Sequence, residues 1–254
     1  MNKTLQQACD FADALLERGG AHDDGIARFV VPPFTAVREV AARLAHSDVR
    51  IGAQTMHWDD DGAWTGEISA PMLRDCGLHL VELGHSERRA HFGETDHQVG
   101  LKVRSALKHG LQPLICIGET RDERDAGDAD AVLERQVDAA LAHVAPGRSS
   151  AVLFAYEPVW AIGEGGSPAG SDYADARQAR IKHVAAERLG AAPTCLYGGS
   201  VRADNCAELI RRRHIDGLFI GRAAWHIDGY LDILARCRTA LESLPPPSST
   251  DTPS

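Results

Sequence analysis

Two residues stand out as able to do acid–base chemistry, each placed where an apolar run gives way to a polar one. His85 lies in Glu82-Leu83-Gly84-His85-Ser86-Glu87-Arg88-Arg89, just past a strand-like run and where a helix should begin. Free backbone N–H groups at a helix N-terminus favour a neutral imidazole, which can donate a hydrogen bond to a substrate oxygen. Glu157 ends the apolar run 152–156 and opens Pro158-Val159-Trp160-Ala161-Ile162-Gly163-Glu164-Gly165-Gly166-Ser167-Pro168. A glycine-rich segment flanked by prolines has the composition of a hinged lid; its closure would dehydrate Glu157 and strengthen it as a base. Neither residue compels this reading alone, because His85 is one of twelve histidines and Glu157 also fits a solvated turn.

Two glycine turns add an anion site. Tyr197-Gly198-Gly199-Ser200-Val201 and Asp216-Gly217-Leu218-Phe219-Ile220-Gly221-Arg222 each follow a strand-like run. Such turns present bare N–H groups, and barrels often bind phosphate after their last two strands. Other chemistries lack a pattern. His79, His85, His91 and His97 are six apart and do not share a helix face, and no Cys-x-x-Cys pair occurs. Dinucleotide, P-loop and nucleophile-elbow motifs are missing from the sequence.

The elements that must position these residues alternate. Strands are expected at 28–31, 49–53, 79–83, 113–117, 152–156, 194–197 and 217–220, short and continuously apolar as in a parallel sheet buried on both faces. Helices are expected at 36–45, 96–109, 129–144, 173–189, 203–213 and 230–241, after an opening helix at 5–18 that no strand precedes. Seven strands fit either an open sheet or an eight-stranded barrel short of one strand. The 254 residues suit one barrel domain over 1–244, with a Pro/Ser-rich tail at 245–254 expected to be disordered.

Composition narrows the partners. A net charge of −9 disfavours nonspecific binding to nucleic acid or acidic membranes. No apolar run is long enough to span a bilayer, and six scattered cysteines read as reduced thiols of a cytoplasmic protein.

Taken together, these strings resemble the triosephosphate isomerase family. The matching segments are Gly52-Ala53-Gln54, 62–69, 82–89, Cys116-Ile117-Gly118-Glu119-Thr120, 156–163, 197–201 and 216–221, in family order over nearly the whole chain. The resemblance implies a TIM (β/α)8 barrel and an enediol isomerase needing no metal or organic cofactor. Glu157 is then the base moving a proton between adjacent carbons, and His85 the neutral electrophile on the carbonyl, a pairing long described for this family. Backbone N–H groups of Gly163, Ser200, Gly221 and Arg222 are implied to hold substrate phosphate, with Glu87 a further rim carboxylate and Cys116 a structural thiol. The loop from Gln54 to Glu67, with Thr65 near its tip, is implied to reach into a second copy, giving a homodimer.

Departures from the family sharpen the expectation. Members open with a strand ending in a Gly-x-Trp-Lys-Met-Asn type segment, whereas this chain starts at the Met-Asn. We therefore expect the first strand and its lysine to lie upstream of Met1 in a longer product. Arg222 stands where many members carry glycine, and its guanidinium is expected to alter the phosphate pocket. The primary reading is interconversion of glyceraldehyde 3-phosphate and dihydroxyacetone phosphate. Thr55-Met56-His57-Trp58, Trp64 and Gly221-Arg222-Ala223-Ala224-Trp225 also resemble a branch that converts L-erythrulose 1-phosphate to D-erythrulose 4-phosphate in erythritol catabolism. A third reading is an inactive barrel fragment kept for association.

Overall fold

The computed structural model describes residues 1–19, 25–163 and 166–243. The chain opens with α1 (Leu5–Arg18), whose N-terminus is closed by a reciprocal Thr4–Gln7 capping box. Alternation follows: β1 (Phe29–Val30), α2 (Val37–Leu44), β2 (Arg50–Ala53), α3 (Ala70–Asp75), β3 (Leu80–Leu83), α4 (Ser86–Phe92), α5 (Asp96–Lys108) and β4 (Gln112–Ile117). The second half adds α6 (Arg121–Asp125), α7 (Ala129–Leu141), β5 (Leu153–Tyr156), α8 (Ser171–Leu189), β6 (Thr194–Tyr197), α9 (Cys206–Ile210), β7 (Gly217–Leu218) and α10 (Ile227–Glu242). All seven strands are parallel and ordered as in the chain, β1 through β7.

Strand alternation divides the apolar residues between two cores. Val81, Leu83, Ile115, Ile117, Phe154, Tyr156 and Tyr197 point outward against the helices. Leu80, Leu114, Cys116, Ala155 and Leu196 point inward, joined by Phe29 and Phe219. The Phe29 and Phe219 rings stack at 6.1 Å, so the two edges of the sheet curl toward each other. The helices complete the ring. Phe11 of α1 packs edge-on against Tyr230 of α10 at 5.9 Å, and Arg18 pairs with Asp228 at 2.6 Å.

Strands were expected at 28–31 and 217–220, but the ladders cover only Phe29–Val30 and Gly217–Leu218. Each of these strands has a partner on one side alone, so fewer of its residues are held in register. Helix α4 begins directly after His85, where a helix was expected, whereas short α3 and α6 arise in segments assigned no helix, with α6 started by a Thr120–Glu123 capping box. The 245–254 tail lies outside the described residues. Among those residues, no helix is long and apolar enough to cross a membrane.

Candidate active site

The turn carrying His85 is fixed before the imidazole begins. Strand β3 ends at Leu83, and Gly84 adopts φ +77°, a left-handed conformation that favours glycine. A Cβ at Gly84 would meet Arg89 Nη2 at 2.9 Å and the Cys116 carbonyl at 3.0 Å, so space excludes a side chain as well. Arg89 Nε donates to the Gly84 carbonyl at 2.7 Å, while the Gly84 N–H donates to Glu94 Oε2 at 3.0 Å. Glu94 is itself held by a buried ion pair with Lys102, which also donates to Thr55 Oγ1 at 3.3 Å. His85 then caps α4: its Nδ1 accepts from the Glu87 N–H at 3.2 Å. With Nδ1 an acceptor, the ring proton sits on Nε2.

Glu157 meets that nitrogen from across the barrel. It follows β5, with its N–H donating to the Ile117 carbonyl at 2.7 Å, and it is 3% exposed. Its Oε1 lies 3.3 Å from His85 Nε2, and its Oε2 accepts from the Ser86 N–H at 3.3 Å. The buried Cys116 thiol lies on the side of the barrel that faces the same carboxylate. Two glycines make room: a Cβ at Gly118 would sit 2.0 Å from the Glu157 carbonyl oxygen, and one at Gly198 2.9 Å from Glu157 Cγ.

The electrostatics are those of charges withdrawn from water. Burial raises the Glu157 pKa, opposed by His85 and by the Ser86 N–H. For His85, burial opposes the charged ring while Glu157 and Glu82 favour it, with a net rise. Glu82 was quoted in the His85 string but given no role in the sequence reading; its Oε1 lies 3.8 Å from His85 Nε2. Burial pushes its carboxyl up to about 8. The signal in the sequence was a carboxylate at an inward position of an apolar strand. Glu94 and Lys102 gave no such signal, because charges beside or within a helix usually face solvent.

The segment after Glu157 springs from a polar hub. Glu119, fully buried, accepts from Tyr156 Oη at 3.1 Å, Trp160 Nε1 at 2.8 Å and Tyr173 Oη at 3.0 Å. Its backbone carbonyl takes the Val159 N–H at 3.0 Å. Burial raises the Tyr156 pKa strongly and pushes Tyr173 up to about 12. Ser200 Oγ donates to the Ala161 carbonyl at 2.6 Å, tying the turn after β6 to the same segment. Gly163 has φ +86°; its neighbours Glu164 and Gly165 lie outside the described residues.

His85, Glu157 and Cys116 thus converge, whereas the other expected residues are spread along the same rim or beyond it. Glu87 contributes its N–H to the His85 ring and leaves its side chain exposed. Gly221 and Arg222 follow β7, both exposed, and among the described residues no hydrogen bond joins them or Gly163 to the central pair. Neither Ser200 nor Gly221 spends its N–H on a carbonyl among those residues. Thr65 is exposed on the loop after β2, beside a stack in which His57 lies 4.1 Å from Trp58 and 4.3 Å from Trp64. No group of three or more His, Cys, Asp or Glu among the described residues is placed to hold a metal ion.

A sequential parallel α/β sheet brings an imidazole after β3 and a carboxylate after β5 together at the C-terminal rim, where barrels of this kind carry their active sites. The chain belongs to the triosephosphate isomerase family, whose model matches residues 1–237. Among named proteins it is 60% identical over 244 residues to the L-erythrulose-1-phosphate isomerase of Brucella abortus biovar 1 (strain 9-941), covering 96% of this chain and 95% of the relative. The protein of that name from Rhizobium meliloti (strain 1021) is 61% identical over 242 residues, covering 95% of each chain. The one from Mesorhizobium japonicum is 60% identical over 242 residues, again covering 95% of each. These likenesses favour the four-carbon reading over the triose reading placed first above.

Proposed function

We propose that this protein isomerises L-erythrulose 1-phosphate to D-erythrulose 4-phosphate through an enediolate. The observation that carries the chemistry is the 3.3 Å approach of buried Glu157 Oε1 to His85 Nε2. The 60% identity to relatives of that name supports the substrate. Glu157 takes the proton from C3 and returns it to C2, so the carbonyl moves by one carbon. His85 Nε2–H donates to the carbonyl oxygen as negative charge develops there, the moment at which a preorganised donor contributes most. His85 Nε2 stands 3.3 Å from Glu157 Oε1, so one substrate meets the donor and the base together.

Backbone N–H groups of Gly163, Ser200, Gly221 and Arg222 bind the phosphate, with the exposed Arg222 guanidinium adding positive charge. The lid excludes water so that the enediolate is reprotonated before phosphate is lost. Two copies pair through the loop 54–67, with Thr65 at the contact and the His57–Trp58–Trp64 stack stiffening the loop.

The decisive assay compares kcat/KM for L-erythrulose 1-phosphate and dihydroxyacetone phosphate. The four-carbon ketose is expected to lead by at least about tenfold, the scale of discrimination worth one buried group. A higher value for the triose would return the assignment to the three-carbon reaction.

A further inference from the structure

Glu82 is a buried carboxyl without an assigned partner. It sits on β3, where alternation sends Val81 and Leu83 outward to the helices and Leu80 inward to the apolar cluster. The register pairs Glu82 with Leu114, another inward residue. It is 8% exposed, and among the described residues its side chain accepts and donates no hydrogen bond. His85 Nε2 lies 3.8 Å from its Oε1. An unpaired carboxyl among Leu, Ala and Cys side chains costs several kcal/mol when ionised, so a neutral acid in search of an acceptor is the stable form.

Two donors converging on one oxygen at normal hydrogen-bond lengths stand roughly 3.5–4.5 Å apart, each about 2.8 Å from it. The Glu82 Oε1 to His85 Nε2 separation falls in that range. We propose that Glu82 is a second catalytic donor, its carboxyl O–H joining His85 Nε2–H on the substrate oxygen where enediolate charge develops. The proton stays on Glu82 throughout; the step is hydrogen bonding, with no bond to carbon or phosphate formed or broken. A carboxylic acid kept neutral by an apolar site plays this part in an unrelated steroid isomerase. The proposal rests on the isomerase reading, which places a carbonyl oxygen at His85.

Glu82's elevated pKa, about 8, is consistent with a donor present at neutral pH. The groups acting on it are His85, which opposes the rise, and Glu157, Glu87 and Glu94, which add to it; the Cys116 thiol shares its side of the barrel. The sign follows directly. Raising pH through about 8 removes the proton, replaces a donor with a negative charge, and destabilises the enediolate.

The test is the pH dependence of kcat on L-erythrulose 1-phosphate for wild type, Glu82→Gln and Glu82→Leu. Wild type should lose activity on an alkaline limb near pH 8. Glu82→Gln, whose amide donates at every pH, should retain kcat within about threefold and lack that limb. Glu82→Leu should lose about 10²-fold in kcat with a much smaller change in KM, as for removal of one oxyanion donor. An alkaline limb unchanged in Glu82→Gln, or full kcat in Glu82→Leu, would overturn the assignment. Carboxyl ¹³C NMR gives a readout independent of turnover. The resonance missing from Glu82→Gln should titrate near pH 8, and one already ionised at about pH 6 contradicts the proposal. A wild type inactive on both phosphoketoses would sink the isomerase reading, while the resonance still decides whether Glu82 holds its proton.

Discussion

At the scale of single residues, the account turns on carboxyl groups taken out of water. Glu157→Gln removes the base while keeping its shape, and kcat should fall by at least about 10²-fold with little change in KM. Steady-state kinetics check this, and retained turnover would remove Glu157 from its role. Burial also links these groups to stability. Glu82 and Glu157 both have folded pKa values raised above 4.5, so the folded state binds their protons more tightly than the unfolded chain does. Stability should therefore fall as pH rises from about 4.5 to about 8 and then level off; urea midpoints across that window measure it. Glu82→Gln should flatten the decline. The sequence drew attention to His85 and Glu157 by their places just after strand-like runs, and only the family resemblance gave them roles. It hid the function of Glu82, because a lone Glu in an apolar run has no meaning until the inward face of β3 is known. Glu94 and Lys102 were hidden for the converse reason: only three-dimensional packing turns ordinary polar residues into a buried pair behind Gly84.

At the scale of elements, strand ends and their glycines set the aim of the catalytic groups. Gly198 lies after β6 against the side of Glu157, with space for hydrogen only. Gly198→Ala should displace the carboxylate by a few tenths of an ångström to an ångström and lower kcat by up to about 10²-fold. Comparable thermal unfolding of variant and wild type would separate misalignment from unfolding, and an unchanged kcat would show that the carboxylate tolerates the shift. Glu119 plays the corresponding part for the lid. Glu119→Leu leaves the Tyr156, Trp160 and Tyr173 donors without their common acceptor and should cost roughly 3 kcal/mol or more, measurable by urea unfolding. The βα alternation was legible from apolar runs alone, since strands buried on both faces write a continuous signal. The short helices α3 and α6 were not, because five or six residues hold too few turns to show a period.

At the scale of the whole molecule, a sheet in strict chain order brings residues 72 positions apart to within 3.3 Å. Helices α1 and α10 close the outer ring through Phe11–Tyr230 and Arg18–Asp228, so the ends of the described chain brace the rim that carries β7 and its glycine turn. The exposed loop after β2 supplies the proposed pairing surface. Thr65→Asp should shift sedimentation toward monomer, and an unchanged sedimentation profile would place the contact elsewhere. The central claim is that one carboxylate carries a proton between neighbouring carbons of a phosphoketose. Turnover of L-erythrulose 1-phosphate in D2O, followed by ¹H NMR, tests it most directly. The account predicts D-erythrulose 4-phosphate bearing deuterium at C3 in part of the product, because return of the original proton from Glu157 competes with its exchange. Product formed and labelled as fast by Glu157→Gln as by wild type, or no product at all, would contradict it.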